Sequence, residues 1–313
     1  MSVTLPNPGM NFVPLEVLTA ENQNKIVENV EFLASKIQDS TNAYVTSRLA
    51  IYIDGTNGND NNSGTTAQTA KKTLQSALDL LNTLGGSIDF KFVTAGNYTA
   101  HGGFFDAANI LFEKNSTSVG ATTINFTSEA KFDNSVLEIN NITLAGSTVS
   151  MYNSHLRLTR SGGTAYQGIE CEMTLYGTQA QITSITWKKP CTLSNGSAIN
   201  LAGCTIAPEF SSGIPMRGGA SCSIAINTSL TMEEPTTAGL TALFSISAGG
   251  TLVFQDTPTI INNVSTNKYT RIIAASCAFV SAASATRTAM RTAATSDDSL
   301  SRTVLIRGAA TLG

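Results

Sequence analysis

The side chains able to make or break bonds are few and scattered. Cleaving a glycosidic bond takes two carboxyls, one as acid and one as base or nucleophile, at a separation set by mechanism. The candidates over the long middle of the chain are Glu113, Glu129, Asp133, Glu138, Glu170, Glu172, Glu209, Glu233, Glu234 and Asp256. Glu170 and Glu172 stand two apart. On one extended strand that spacing puts both on the same face and turns Cys171 toward the core. They are the pair expected to act if the chain cleaves polysaccharide; otherwise no catalytic residue is assigned. Glu233-Glu234-Pro235 reads as a solvated turn. His101 and His155 sit in loop or turn contexts with no evident partner, so no Ser-His-Asp arrangement can be built.

The segment Asp54 to Asp60 offers oxygen donors at alternating positions, as a Ca²⁺ loop does. It lacks the closing bidentate Glu of an EF-hand, and its Asn, Asp and Gly content reads as turn formation. No metal or cofactor is assigned. The cysteines are Cys171, Cys191, Cys204, Cys222 and Cys277. Their number is odd and none forms a C-x-x-C pair, which argues against zinc and against a disulfide framework. They read as buried free thiols, spaced loosely with the repeat described below.

A contact surface for sugars usually carries aromatic rings. Trp187 is the only tryptophan and is followed by Lys188-Lys189-Pro190. With Ile185 pointing inward, this cluster is expected on the outside. Trp187, Lys188, Lys189 and Tyr176 are the expected binding residues, with Tyr152 and Tyr166 as further candidates.

These side chains must be held by many short strands. Charged residues make up only 13% and the formal net charge is −3, so a basic nucleic-acid-binding face is excluded. No apolar run is long enough to cross a membrane, and no signal peptide is expected. The Asn-x-Ser/Thr triplets read as turn and strand chemistry. Residues 1–18 form an extended apolar arm broken by Pro6, Pro8 and Pro14. Residues 19–48 read as a helix capped by Thr19, with Ile26, Val30, Leu33 and Ile37 on one stripe. That stripe needs a partner; a short parallel bundle or the end of its own β domain would serve. Residues 49–107 carry the strand Ile51-Tyr52-Ile53, a polar loop, a helix expected over 70–84 and the strand Ile88 to Val93. From 108 to 280 short alternating strands recur every six to eight residues, three to a rung of roughly twenty residues. Stacked coils of such strands bury an apolar face that one coil cannot. Residues 281–313 form a cap or tail.

Two segments resemble the tail-fibre and tailspike proteins of bacteriophages. One runs from Asn11-Phe12-Val13-Pro14-Leu15 through Val27-Glu28-Asn29-Val30-Glu31. The other is Tyr52-Ile53-Asp54-Gly55-Thr56-Asn57-Gly58-Asn59-Asp60 with Thr73-Leu74-Gln75-Ser76-Ala77-Leu78 and Ala95-Gly96-Asn97-Tyr98-Thr99. The family's usual Pro before Thr73-Leu74 is replaced by Lys71-Lys72. The resemblance implies a mainly β fold, a right-handed parallel β-helix with an N-terminal helix and a capping helix, assembled as a homotrimer. It implies a virion location, with Phe12, Val13, Leu15, Val17 and Leu18 anchoring the chain to virion proteins. The distal surface would meet the host, including a host surface glycan. Neither nucleic acid nor membrane insertion is implied. A tailspike-type depolymerase using Glu170 and Glu172 is the alternative.

Overall fold

The computed structural model describes residues 48–81, 87–115, 120–160 and 168–210, and shorter runs between 214 and 305. The arm over 1–18, nearly all of the helix over 19–48 and most of 281–313 lie outside the described residues. The chain divides into two units, Met1–Leu49 and Ala50–Gly313, and almost every described element belongs to the second.

Alternation of apolar and polar residues sends successive strands into three sheets, and every registered strand pair within them is parallel. The sheets hold 11, 8 and 8 strands among the described residues. Strands enter them in rotation. Asn109–Lys114 lies in the first sheet, Thr122–Phe126 in the second and Ala130–Asp133 in the third. Val136–Asn140 then returns to the first sheet, beside Asn109–Lys114. Each circuit is one coil, and the arrangement is solenoid-like. Two columns of inward side chains run up the first sheet. One is Ile110, Leu137, Leu156, Ala180 and Ile199; the other is Phe112, Ile139, Leu158, Ile182 and Leu201. All ten are buried. Each Ile, Leu or Phe among them contributes about 1.5–3 kcal/mol by leaving water.

The corner between the third and first sheets repeats one local solution. Asn134, Asn153, Gly177 and Asn195 have φ of 47°, 47°, 61° and 49°. Asn and Gly tolerate this left-handed backbone better than other residues do. Each is followed, at once or after one residue, by a buried hydroxyl: Ser135, Ser154, Thr178 and Ser197. The hydroxyls form a ladder. The N–H groups of Ala108, Ser135, Ser154 and Thr178 donate to the hydroxyl of the next coil at 3.0, 3.0, 3.4 and 3.1 Å. Each hydroxyl then donates to a carbonyl at its own corner, such as Ser154 to Tyr152 at 2.6 Å. The steps are 27, 19, 24 and 19 residues, which bracket the expected rung.

Helix is confined, among the described residues, to a 3₁₀ turn at Ala67–Thr69 and a short α-helix at Leu74–Leu78, with helical geometry again at Leu81. The helix expected over 70–84 starts late because Lys71 is used as a strand residue. Lys71 bridges Ile53 in parallel, with its N–H on Tyr52 O at 2.9 Å. Thr73 then caps the helix by accepting from Ser76 N at 3.2 Å. Leu74, Ala77, Leu78 and Leu81 are its buried face, as their spacing predicts.

Candidate functional site

The Trp187 cluster does not face outward as one unit. Trp187 is 1% exposed and stacks in register between Ile169 and Ile206 on the inner side of the second sheet. Ile185 is buried too. Positions 185 and 187 share a face, so an inward Ile185 brings Trp187 in with it. Lys188 and Lys189 are only partly exposed.

Glu170 and Glu172 do not share a strand face either. Glu170 ends the second-sheet strand Gly168–Glu170, and Glu172 stands just before the third-sheet strand Met173–Tyr176. The chain turns a corner between them, with Cys171 buried inside it as expected. Glu170 belongs instead to an ion ladder. Lys188 Nζ lies 3.2 Å from Glu170 and 2.7 Å from Glu209. Lys189 Nζ adds a bond to Glu209 O at 3.2 Å. Burial, and then the charge of Glu209, holds the Glu170 carboxyl above the ordinary glutamate range, against the pull of Lys189. An ammonium occupies the space between the two carboxylates, where a catalytic pair would need a water or a sugar.

Three other coil carboxylates are similarly engaged. Glu113 pairs with Lys91 at 2.9 Å, and Glu138 lies 3.9 Å from Arg157. Glu129 accepts from Ser150 Oγ at 2.6 Å and pairs with Lys131 at 3.3 Å; the Ser150 bond, with Lys131, outweighs burial and lowers its pKa. His101 Nδ1 meets Thr127 Oγ1 at 3.1 Å, a partner the sequence did not suggest. His155 opens a first-sheet strand, with its side chain exposed, rather than sitting in a turn.

In the loop from Asp54 to Asp60 the carboxylates serve the backbone. Asp54 accepts from Thr56 N at 2.9 Å, Asn57 N at 3.0 Å and Thr94 Oγ1 at 3.2 Å. Asp60 accepts from Lys72 N and Thr73 N at 2.9 and 2.8 Å, tying the loop to the helix start. Burial raises both pKa values, but these hydrogen bonds outweigh it and leave both lowered. Beside the loop lies a cleft of about 390 Å³ lined by Thr56, Lys72, Thr73, Thr94 and Tyr98 among others.

Cys171, Cys191, Cys204 and Cys222 are free and buried. Burial pushes the Cys171 thiol up to about 12, and raises Cys191 and Cys204 as well. They occupy different places in the coil. Cys191 begins a third-sheet strand, whereas Cys171, Cys204 and Cys222 lie at three different corners. Their spacing therefore does not mark the repeat.

The outer face of the third sheet gathers what the second sheet does not. Asp106, Asp133, Tyr152 and Tyr176 occupy one register column across four neighbouring strands. The Tyr152 and Tyr176 rings have centroids 5.7 Å apart and planes tilted by 43°. Asn153 Nδ2 reaches Asp133 at 3.4 Å. Phe104, two residues from Asp106 on the same face, is 63% exposed and Tyr176 is 38% exposed. Phe105 points the other way and stacks on Phe132 at 4.7 Å. Of the expected contact residues, Tyr176 lies here with Tyr152. Phe104, Asp106 and Asn153 lie here too and were not among the expected residues. The signal for Phe104 and Asp106 was Phe104-Phe105-Asp106, where an inward Phe105 forces its neighbours out.

The chain matches no protein-family model, curated protein or solved structure. Among the described residues no group of three or more His, Cys, Asp or Glu is placed to hold a metal ion. No helix among them is long and apolar enough to cross a membrane.

Proposed function

We propose that the chain is the subunit of a bacteriophage fibre or spike, a right-handed parallel β-helix assembled as a homotrimer on the virion surface. In this reading the arm over 1–18 meets virion proteins through Phe12, Val13, Leu15, Val17 and Leu18. The coils carry the surface that attaches to the host, as a tail fibre or a head or collar fibre. The observation that carries the reading is the rotation of consecutive strands through three parallel sheets, from Ser87 to Ser281. That is the architecture the two family-like segments lead one to expect. The engagement of Glu113, Glu129, Glu138, Glu170 and Glu209 in ion pairs supports a binding role over a depolymerase.

The test is the mass of the full chain in solution by light scattering, with and without residues 1–40. A trimer of the full chain is expected. If the shortened chain stays trimeric, the contacts lie in the coils; if it falls to a monomer, they lie in the N-terminal helix. A full chain that is monomeric at every concentration overturns the trimeric fibre.

A further inference from the structure

We propose that the outer face of the third sheet binds an uncharged polysaccharide, laid along the stacking axis. Sugar rings rest on Tyr176 and Tyr152, and hydroxyls reach Asp133, Asp106 and Asn153. This names the ligand class for the attachment reading above and rests on it.

The two large apolar side chains most exposed among the described residues, Phe104 and Tyr176, both lie on this face. Exposed aromatic rings stay in water at a cost that a ligand with an apolar face relieves. A pyranose has such a face, ringed by hydroxyl donors. The next positions of the column supply acceptors for those donors: Asp133, and beyond it Asp106. Asp106 and Asp133 sit directly opposite each other, a like-charge placement that disfavours the sheet by itself and that hydroxyl donors relieve.

Shape and charge disfavour the other ligand classes. The face is open and lies apart from the cleft near Tyr98, which suits an extended polymer better than an enclosed small molecule. Two carboxylates within the column repel phosphate, so neither nucleic acid nor an acidic glycan fits. The cations on this face among the described residues are Lys131, drawn toward Glu129 at 3.3 Å, and Arg217, which stands in the neighbouring column two strands beyond Tyr176 and away from the two aspartates. From Tyr176 to the strand of Phe104 is three strand spacings, roughly 14 Å, the span of a short oligosaccharide.

The experiment applies the purified full chain to an array of neutral and acidic bacterial surface polysaccharides, with a Ca²⁺ titration alongside. Retention of at least one neutral polysaccharide is expected, with no uptake of acidic ones. Tyr176→Ala and Tyr152→Ala should each weaken it by about thirtyfold, while Tyr176→Phe keeps it. Thermal unfolding of Tyr176→Ala should stay close to the parent's, and the half-buried Tyr152→Ala is compared at a temperature where both chains are folded. The assignment is overturned if no neutral polysaccharide is retained, or if the tyrosine variants bind as before. It is also overturned if the face takes acidic polysaccharide, or Ca²⁺ alone. A monomer that binds neutral glycan keeps this assignment and removes the fibre; a trimer that retains none does the reverse.

Discussion

Ser154 Oγ accepts the backbone N–H of Ser135 at 3.0 Å, and Thr178 Oγ1 stands in the same place for Ser154 at 3.4 Å. A hydroxyl from each coil closes the corner of the coil beneath it. The corner is dry, with Ser135, Ser154, Thr178 and Ser197 each at most 2% exposed. The ladder takes up the N–H groups of Ser135, Ser154 and Thr178, whereas the Ser197 N–H donates to Ser194 O at 3.2 Å.

Ser154→Ala is expected to lower stability by about 1–3 kcal/mol, because it leaves a buried N–H without an acceptor. Ser154→Thr should cost far less, since Thr178 already fills the equivalent position. Urea unfolding of both variants checks this; equal stability of Ser154→Ala and the parent chain would show that the ladder does not matter.

Stability should fall in acid as the Asp54 and Asp60 carboxylates protonate. Both have folded pKa values below the ordinary aspartate value of about 3.9, because hydrogen bonds to the ionised form outweigh burial. Their contribution is present above that value and is lost as pH drops through the lower folded values. Asp54→Asn should cost about 1–3 kcal/mol at pH 7 and flatten the acid limb of a urea-midpoint profile. A mutant profile parallel to the parent's would contradict the assignment.

Removing Lys188 should leave Glu170 and Glu209 facing each other. Lys188→Met is expected to lose about 1–2 kcal/mol at pH 7. The Glu170 carboxyl already sits above the ordinary glutamate range, so the folded state holds its proton more tightly than the unfolded state. Stability from that site is full in acid and lost as pH rises through the folded value. The Lys188→Met deficit should therefore shrink toward about pH 4. Thermal melts at the two pH values decide it, and a constant deficit would count against the ladder.

Trp187 should emit as a buried indole, blue-shifted and poorly quenched by iodide, and glycan binding should be indifferent to it. Trp187→Ala is expected to cost about 3–5 kcal/mol through the cavity it leaves. Trp187→Phe should cost less, since Nε1 has no hydrogen-bond partner to lose. Water-like emission from the folded chain would place the ring outside after all.

The fold was more legible in the sequence than the site. Segments such as Val136-Leu137-Glu138-Ile139 and Leu156-Arg157-Leu158 announce half-buried strands by alternation alone, and the structure has strands at both. Their parallel pairing followed from the recurrence, which no hairpin could supply. The start of the helix was misread because Ala70 and Lys71 are compatible with helix, and only non-local contacts, the bridge from Lys71 to Ile53 and the bonds of Asn59 N to Ala70 O and Asp54 N to Lys71 O, pull them into an extended path. The site failed where facing decides everything. Glu170 and Glu172 look like neighbours on one face only if no corner intervenes, and local composition does not mark that corner. Tyr152 and Tyr176 lie far apart in sequence, and only the register brings their rings together. The recurring Asn-Ser and Gly-Thr corners were visible as turn formers, but their second residue gave no sign of turning inward.

The equivalence of Ser135 and Ser154 has an engineering meaning. They perform one task 19 residues apart. Excising residues 136–154 would therefore splice like onto like, and duplicating them would add a unit. Each unit changes the length by one strand spacing, about 4.8 Å, and keeps the inward columns apolar, since Ile110 would then meet Leu156 and Phe112 would meet Leu158. The molecule behaves as a ruler whose graduations can be counted, shortened or extended.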